Sequence, residues 1–176
     1  HEIALDPDEL FDCFRRVSFC REGVFTPEKL AERLTETAQV LCIVNTRKRA
    51  RQVYESLPEE GCFHLSTLMI PTDREKTLNA IRTRLQNGKT CRVVSTSLVE
   101  AGVDVDFPSV WRELAGLDSI LQAAGRCNRE GRRSAAESVV HVFEAEGKFP
   151  ASMTQQREAA TKVMEEFEEI NTRPAI

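Results

Sequence analysis

The sequence lacks the features that mark several large classes of protein. Its 176 residues contain no internal repeat and no low-complexity tract, and its six cysteines are scattered without any Cys-x-x-Cys pair. No apolar run approaches the roughly 18 residues that a membrane-spanning helix needs, and the start shows no basic region followed by an apolar core. We therefore expect no transmembrane segment, no membrane partner, no signal peptide and no disulfide framework, and we predict a cytoplasmic protein with reduced thiols.

Metal ligands and an excess of one charge are also missing. The histidines are His1, His64 and His141, and none stands next to an aspartate, so we predict no metal site. Lysine and arginine total 24 against 28 aspartates and glutamates, which gives a net charge of −4. A mildly acidic chain is not a bulk nucleic-acid binder, because such proteins are basic as a whole. The net charge says little about a protein that contacts a few phosphates locally.

The pattern of apolar residues predicts the fold class. Short β-rich apolar runs alternate with longer amphipathic stretches, which is typical of an α/β fold with a doubly wound, mainly parallel sheet and helices on both faces. The predicted strands span 39–44, 62–66, 91–95, 109–114 and 139–143, with an edge strand at 16–19. Helices are predicted behind caps at Thr26 and Thr46, at 72–86, and from Ser152, where Gln155 completes a capping box.

We divide the chain into three parts. Residues 1–25 form an N-terminal lead-in with the edge strand, 26–150 form the domain itself, and 151–176 form a C-terminal packing helix. In an open parallel sheet, ligands bind at the carboxyl ends of the strands. The loops that follow the strands are therefore the places to look for chemistry, and three of them are unusual.

The first of these loops is rich in positive charge. Asn45 and Thr46 are followed by Arg47, Lys48, Arg49 and Arg51, which fall in the first turn of a predicted helix. The helix dipole disfavours cations there, whereas the free N–H groups and the cations together suit a phosphate. The cluster therefore indicates either a phosphate site or a solvated basic face.

The second loop follows the strand at 91–95. The hydroxyl groups of Ser95, Thr96 and Ser97 could donate hydrogen bonds to a phosphate. Gly102 permits a close approach of backbone, and Asp104 could accept a hydrogen bond from a ribose hydroxyl. Taken alone, this segment is equally consistent with a plain strand-to-helix turn.

The third loop carries a glutamine and two arginines. Gln122, Arg126 and Arg129 project from one helical face if the predicted helix continues past Gly125, and otherwise Arg129 lies in the exit loop. Guanidinium groups bind phosphate oxygens bidentately and can stabilise charge on a transferring phosphoryl group. The alternative is a set of surface arginines paired with Glu130 and Glu113.

Taken together, the three loops resemble a known motor family. The Asn45-Thr46 pair resembles motif IV of superfamily two helicases, 94–104 resembles motif V, and Gln122-x-x-Gly125-Arg126-x-x-Arg129 resembles motif VI. With 64–69, 99–108 and 125–131 added, the order and spacing resemble more narrowly the helicase-nuclease of type I CRISPR systems. The resemblance runs from about 39 to 143.

The resemblance implies a RecA-like fold and a role for most of these residues. The matching region is the second of two RecA-like motor domains, and ATP binds in the cleft between the two. By position, Arg126 and Arg129 are arginine fingers, Gln122 couples the nucleotide to domain closure, and Gly102 and Asp104 lie on the ribose side. Residues that would contact single-stranded DNA are Asn45, Thr46, Arg47, His64, Ser66 and Thr96.

The resemblance also implies cofactors and partners. These are ATP and Mg²⁺, single-stranded DNA, the first RecA-like domain and the nuclease domain of the same protein, and an RNA-guided surveillance complex. One departure is Ala123, where many superfamily two helicases carry an arginine.

The chain contains no Gly-x-x-x-x-Gly-Lys-Ser/Thr loop, no Asp-Glu-x-His or Asp-Glu-x-Asp run and no nuclease site. By itself it is expected to be inactive as an ATPase, helicase or nuclease. The alternatives are a stand-alone RecA-like module that binds nucleic acid or protein without ATP turnover, and a generic flavodoxin-like domain.

Overall fold

A computed structural model describes residues 16–99, 103–147, 149, 151–167 and 170. Its strands are β1 (Ser18–Phe25), β2 (Gln39–Ile43), β3 (Cys62–Leu65), β4 (Cys91–Ser95), β5 (Ser109–Glu113) and β6 (Val139–Ala145). Its α-helices are α1 (Pro27–Thr35), α2 (Arg47–Glu55), α3 (Pro71–Gln86), α4 (Leu117–Ala124) and α5 (Thr154–Glu166). Each predicted strand is present, and the edge strand β1 is longer than the sequence pattern indicates.

The strands form one sheet in the order β1-β6-β5-β2-β4-β3, and every neighbouring pair is parallel. Strand β2 lies between β4 and β5. After β2 the chain forms β3 and β4 on one side of it, and then crosses to form β5 on its other side. This is the topological switch at which doubly wound sheets bind ligands. The predicted α/β class with a doubly wound parallel sheet is confirmed.

Two apolar cores lie on opposite faces of the sheet. Side chains alternate along β2, so that Val40 and Cys42 pack on the face that α1 and α2 cover, while Leu41 and Ile43 pack on the face of α3, α4 and α5. A strand that is buried on both faces reads as a continuous apolar run, which is why β2 was visible in the sequence. None of the described helices is long and apolar enough to cross a membrane.

The helix caps behave largely as the sequence indicates. The Thr26 hydroxyl accepts a hydrogen bond from the Lys29 backbone N–H (3.3 Å), and the Thr46 hydroxyl accepts one from Arg49 (3.2 Å). The last helix differs: α5 begins at Thr154 behind Met153, with no capping side chain, so the predicted capping box at Ser152 is wrong. The reason is that residues 151–153 form a 3₁₀ turn, which places Ser152 before the helix start.

Helix α4 ends early. Its last residue is Ala124, with Gly125 at the C-cap. Gln122 therefore lies on the helix, whereas Arg126 and Arg129 lie in the loop that follows; the second sequence alternative expected this for Arg129 and did not extend to Arg126. Strand β1, which belongs to the predicted lead-in, pairs along β6 from Ser18 to Phe25.

Candidate functional site

The loops with unusual chemistry follow strands that are neighbours in the sheet. Strand β2 pairs with β4 on one side and β5 on the other, and the three strands end at one edge. The Val44 N–H continues this pairing by donating to the Ser95 carbonyl (2.9 Å). The segments that begin at Asn45, Thr96 and Leu114 therefore emerge side by side at the switch point of the sheet.

A buried polar network, which we call the β2 edge cluster, occupies the centre of this edge. It consists of Asn45, Arg49, Arg112 and Glu113. Glu113 accepts from the Asn45 backbone N–H (2.8 Å) and from the Arg49 guanidinium (2.5 Å). The Asn45 side chain donates to the Leu114 carbonyl (2.9 Å) and accepts from Arg112 (2.7 Å). The cluster fixes the path of the chain between β2 and α2.

The β2 edge cluster changes the meaning of the basic run. Arg49 is tied to Glu113 and to the Glu146 carbonyl (2.9 Å), and Arg51 pairs with Glu55 (2.7 Å). Among the described residues, Arg47 and Lys48 have no ionic partner and both are exposed. The run therefore offers a ligand two cations without an ionic partner, while Arg51 is exposed but paired and Arg49 is held inside the fold.

Thr46 lies beside these two cations, at the start of α2. Its hydroxyl oxygen accepts the capping hydrogen bond from Arg49, which leaves the hydroxyl proton available to another acceptor. The side chain of Asn45 is engaged inside the β2 edge cluster on both its oxygen and its nitrogen. Thr46 and Arg47 are thus the more accessible of the predicted DNA-contacting residues in this loop.

The loops after β3 and β4 contain the other predicted phosphate contacts. The Ser95 hydroxyl is buried, with the carbonyls of Thr96 (3.0 Å) and of Leu65 on β3 (3.2 Å) as acceptors for its one proton. The Thr96 hydroxyl makes no hydrogen bond within the described part of the chain, and the Ser66 hydroxyl accepts from the Leu68 N–H (3.3 Å). Gly102, predicted on the ribose side, lies outside the described residues.

His64 lies against α2 rather than in a loop. Its ring stacks on Tyr54 with centroids 5.5 Å apart, and its Nε2 is buried without a hydrogen-bond partner among the described residues. Burial, and to a lesser extent the positive charge of Arg51, lower the pKa of His64, while Glu55 opposes the shift. The prediction that His64 contacts DNA stays a prediction.

The segment 125–133, which we call the arginine loop, is anchored by Asn128. This residue is buried and adopts a positive φ of 48°. Its side chain donates to the carbonyls of Arg16 (2.8 Å) and Arg133 (2.7 Å) and accepts from the Arg133 N–H (3.0 Å). Asparagine tolerates this conformation better than most residues because its short amide bonds to nearby backbone.

Two aspartates hold Arg129. The backbone N–H of Arg129 donates to the Asp106 carboxylate (2.7 Å), which also pairs with Arg133 (3.3 Å). The Arg129 guanidinium lies 3.1 Å from the Asp104 carboxylate, and the side chains are 41% and 74% exposed. The structure therefore brings together Asp104 and Arg129, two of the residues predicted at the nucleotide.

The remaining residues of this group are more spread out. The Arg126 guanidinium donates to the Val99 carbonyl (2.8 Å) and so ties the arginine loop to the loop after β4. Gln122 is exposed on α4. The sequence alternative expected surface arginines paired with Glu130 and Glu113. These carboxylates pair with arginines other than Arg126 and Arg129, since Glu130 pairs with Arg132 and Glu113 with Arg49.

Sequence reasoning assigned no role to Asp106 or Asn128. Asn128 and Gly131, three residues apart in a polar segment, both have a positive φ, and that of Gly131 is 65°. Asparagine and glycine are the residues that adopt left-handed backbone most readily. That signal could have identified the anchor. Asp106 gave no such signal, because its two partners lie 23 and 27 residues further along the chain.

Comparison with known proteins supports one family. The model of the family described as CRISPR-associated nuclease/helicase Cas3, C-terminal, matches residues 36–132. The CRISPR-associated helicase Cas3 of Thermoproteus tenax is 29% identical over 141 residues, which cover 78% of this chain and 23% of that protein. The chain thus spans about a quarter of the length of this relative.

Solved structures share the fold. The T. fusca Cas3-ATP structure matches 92% of this chain and 22% of its own, with a TM-score of 0.71 at 20% identity. A structure entitled CRISPR RNA-guided surveillance complex, pre-nicking, covers 86% of this chain and 22% of its own (TM-score 0.63, 21% identity). The structure of Mycobacterium smegmatis helicase Lhr bound to ssDNA and AMP-PNP covers 85% of this chain and 22% of its own, with a TM-score of 0.58 at 14% identity.

These neighbours include helicases, and with the six-stranded parallel sheet they confirm a RecA-like fold. The family match covers more than half of the chain and includes the β2 edge cluster together with nearly all of the arginine loop. The chain belongs to the CRISPR-associated nuclease/helicase Cas3 family, within which it corresponds to the C-terminal helicase domain.

Proposed function

We propose that this chain is the second motor domain of an ATP-dependent single-stranded-DNA translocase that acts in CRISPR interference. Arg126 and Arg129 supply arginine fingers, Gln122 couples the nucleotide to domain closure, and Gly102 and Asp104 lie on the ribose side. The observation that carries the proposal is the exposed guanidinium of Arg129 on a loop whose backbone is fixed.

The anchoring of Arg129 suits an arginine finger. Its N–H is held by Asp106, its carbonyl accepts from Arg16 (2.5 Å), and its neighbour Asn128 is buried. Within the described part of the chain, the guanidinium is held by Asp104, in an exposed ion pair of a kind worth about 0–1 kcal/mol. A polyphosphate carries more negative charge than one carboxylate, so it can displace Asp104 without moving the backbone.

The proposed DNA contacts lie on neighbouring loops. Thr46 offers a hydroxyl donor and Arg47 an exposed cation, while Thr96 is largely buried and its hydroxyl makes no hydrogen bond within the described part of the chain. Such groups bind the phosphate backbone without reading its sequence, as a translocase requires. Asn45, His64 and Ser66 remain in the proposed set, with Asn45 acting through the β2 edge cluster that shapes the loop.

The proposal extends to the complete protein. ATP and Mg²⁺ are held mainly by a first motor domain, and a nuclease domain and an RNA-guided surveillance complex are partners. The neighbours named for ATP and for a surveillance complex support this assignment. The 176-residue chain alone is expected to hydrolyse no ATP, because its sequence contains no phosphate-cradling loop.

The test measures DNA-stimulated ATP hydrolysis by the complete protein that carries this chain. Arg129→Ala is expected to lower kcat by about 10³-fold or more, the range known for arginine fingers. The matched control is Arg132→Ala, since Arg132 lies in the same loop and forms an exposed pair with Glu130.

We expect the control to keep its rate within a factor of about two. If Arg129→Ala also stays within that factor, the arginine-finger assignment is wrong. A complete protein that binds single-stranded DNA but hydrolyses no ATP at all would favour the stand-alone binding module instead.

A further inference from the structure

Three metal-ligating side chains lie together at the β1 edge of the sheet, away from the β2 edge cluster. They are Cys20 and Glu22 on β1 and His141 on β6. The Glu22 carboxylate is 2.8 Å from His141 Nδ1 and 3.6 Å from Cys20 Sγ. One candidate ligand atom from each residue lies within 4.8 Å of the others.

The strand register creates this grouping. Cys20 is paired directly with His141 across the parallel strands, so their side chains leave the sheet on the same face. Glu22 is two residues further along β1 and shares that face. Arg21 points to the opposite face, where it pairs with Glu165 (3.1 Å).

A β-bulge brings Glu22 towards His141. The register shifts by one residue between Arg21 and Val24, so β1 carries one residue more than β6 over this stretch. In a regular strand Glu22 would lie opposite the residue two beyond His141. Bulges redirect side chains and are common next to functional sites. Here the extra residue allows the carboxylate to reach the imidazole.

The imidazole is held in place before any ion arrives. The His141 ring stacks on Trp111 of β5 with centroids 4.6 Å apart and an interplanar angle of 16°. The side chains of His141 and Glu22 are 21% and 19% exposed, so the cluster is recessed but open to solvent. Among the described cysteines, Cys20 is exposed and the others are buried. This is therefore the described thiol that an ion from solution can reach.

We propose that Cys20, Glu22 and His141 bind a divalent zinc-type cation, with water as the fourth ligand. Thiolate, imidazole and carboxylate are the side chains that bind Zn²⁺ in proteins, at about 2.0–2.3 Å. In a tetrahedron of that size the ligand atoms lie roughly 3.3–3.7 Å apart. The sulfur–oxygen distance of 3.6 Å already fits, and the 2.8 Å oxygen–nitrogen contact must open by less than 1 Å. The sulfur and the imidazole nitrogen lie within 4.8 Å of each other, so rotation of the Cys20 and His141 side chains must bring them to the tetrahedral distance.

The charges also suit a dication. A thiolate and a carboxylate together carry two negative charges, which one Zn²⁺ neutralises at a partly buried position. The bound ion joins the edge strand β1 to its neighbour β6. This role is independent of the proposed nucleotide chemistry, since none of its three residues belongs to the β2 edge cluster or the arginine loop.

The test is calorimetric titration of Zn²⁺ into the reduced, chelator-treated 176-residue chain. We expect one ion per chain. Cys20→Ser and His141→Gln should each weaken binding by more than about 100-fold, because they remove direct ligands. Cys62→Ser, which alters a thiol on β3 at the opposite edge of the sheet, is the matched control and should leave the affinity within about twofold.

Cobalt provides a second readout. The Co²⁺-loaded chain should show ligand-field bands of tetrahedral intensity and a thiolate-to-cobalt charge-transfer band. Cys20→His should retain ion binding and the ligand-field bands but lose the charge-transfer band, which also tests the site should the serine variant fold poorly. The proposal is overturned if Cys20→Ser binds zinc like the wild type, or if the charge-transfer band persists in Cys20→His.

Discussion

Two arginine–carboxylate pairs at the candidate site use the same chemistry in opposite ways. Arg49 and Glu113 of the β2 edge cluster have side chains only 12% and 0% exposed. Arg129 and Asp104 at the arginine loop are 41% and 74% exposed. The first pair cannot separate without leaving a buried charge unpaired, whereas the second can exchange its carboxylate for another anion.

This difference shows where charge is available to a ligand. In the basic run after β2, Arg49 lies inside the fold and pairs with Glu113, and the same carboxylate holds the backbone at Asn45 and Thr46 in place. The arginine loop achieves the same rigidity through the uncharged amide of Asn128, and its guanidinium group stays at the surface. Side-chain hydrogen bonds fix the backbone in both regions, but Arg49 is used inside the fold, whereas the guanidinium of Arg129 stays where an anion can reach it.

The largest effect is expected from Glu113→Gln in the β2 edge cluster. The amide removes the negative charge opposite Arg49 and leaves a cation that is nearly buried. Breaking one side of such a pair costs about 3–5 kcal/mol, and urea unfolding of the purified chain measures it.

Two variants sharpen this result. Glu55→Gln breaks the exposed Arg51–Glu55 pair on the same helix and should leave the urea midpoint almost unchanged. Adding Arg49→Met to Glu113→Gln removes both charges of this pair, while Arg112 stays as a buried cation, so the double variant should be more stable than Glu113→Gln alone. Equal urea midpoints for Glu113→Gln and Glu55→Gln would mean that burial does not distinguish the pairs.

The next effect is expected from Asn128→Ala in the arginine loop. The variant leaves the carbonyls of Arg16 and Arg133 without their side-chain donor and places alanine at a φ of 48°. We expect a loss of about 2–3 kcal/mol in the free energy of unfolding. Asn128→Gly removes the same hydrogen bonds without the backbone strain, so it should be more stable than Asn128→Ala by about 1 kcal/mol. The reverse order would show that the loop adopts another conformation.

A smaller effect on stability separates capping from DNA binding. Thr26 and Thr46 cap α1 and α2 with the same bond geometry, so Thr26→Ala and Thr46→Ala should each cost about 1 kcal/mol. Only Thr46 lies at the carboxyl edge of β2. Thr46→Ala alone should therefore weaken binding of the complete protein to single-stranded DNA at fixed salt. Equal loss of affinity in both variants would remove Thr46 from the proposed interface.

The elements of the fold were predictable because their signals are local. The apolar run of β2 and the caps at Thr26 and Thr46 each depend on neighbouring residues. The failed capping box at Ser152 is also instructive. Residues 151–153 form a 3₁₀ turn, so the capping pattern at Ser152 does not mark the residue at which the helix begins.

The partners of the charged residues were not predictable, because they depend on contacts between distant segments. Arg49 and Glu113 are 64 residues apart, and Arg129 and Asp106 are 23 apart. The cation run looked uniform in sequence, and burial alone separates Arg49 from Arg47. The cluster of Cys20, Glu22 and His141 was missed for the same reason, together with a bulge that no local pattern indicates.

The last and subtlest effect is a pH dependence in β3, where His64 stacks on Tyr54 of α2. Burial, followed by the charge of Arg51, lowers the pKa of His64 below its ordinary value. Between the folded pKa and the unfolded value of about 6.5, the unfolded chain binds a proton that the native chain does not. The free energy of unfolding should therefore fall as the pH drops through about 6.5 and level off below the folded pKa.

Urea midpoints measured across this pH range test the prediction, and in His64→Gln they should depend less on pH than in the wild type. In Glu55→Gln, the carboxylate that opposes the shift is absent, so the fall should be steeper than in the wild type. If the slope of the urea midpoint against pH is unchanged in both variants, the pH dependence belongs to other groups and not to His64.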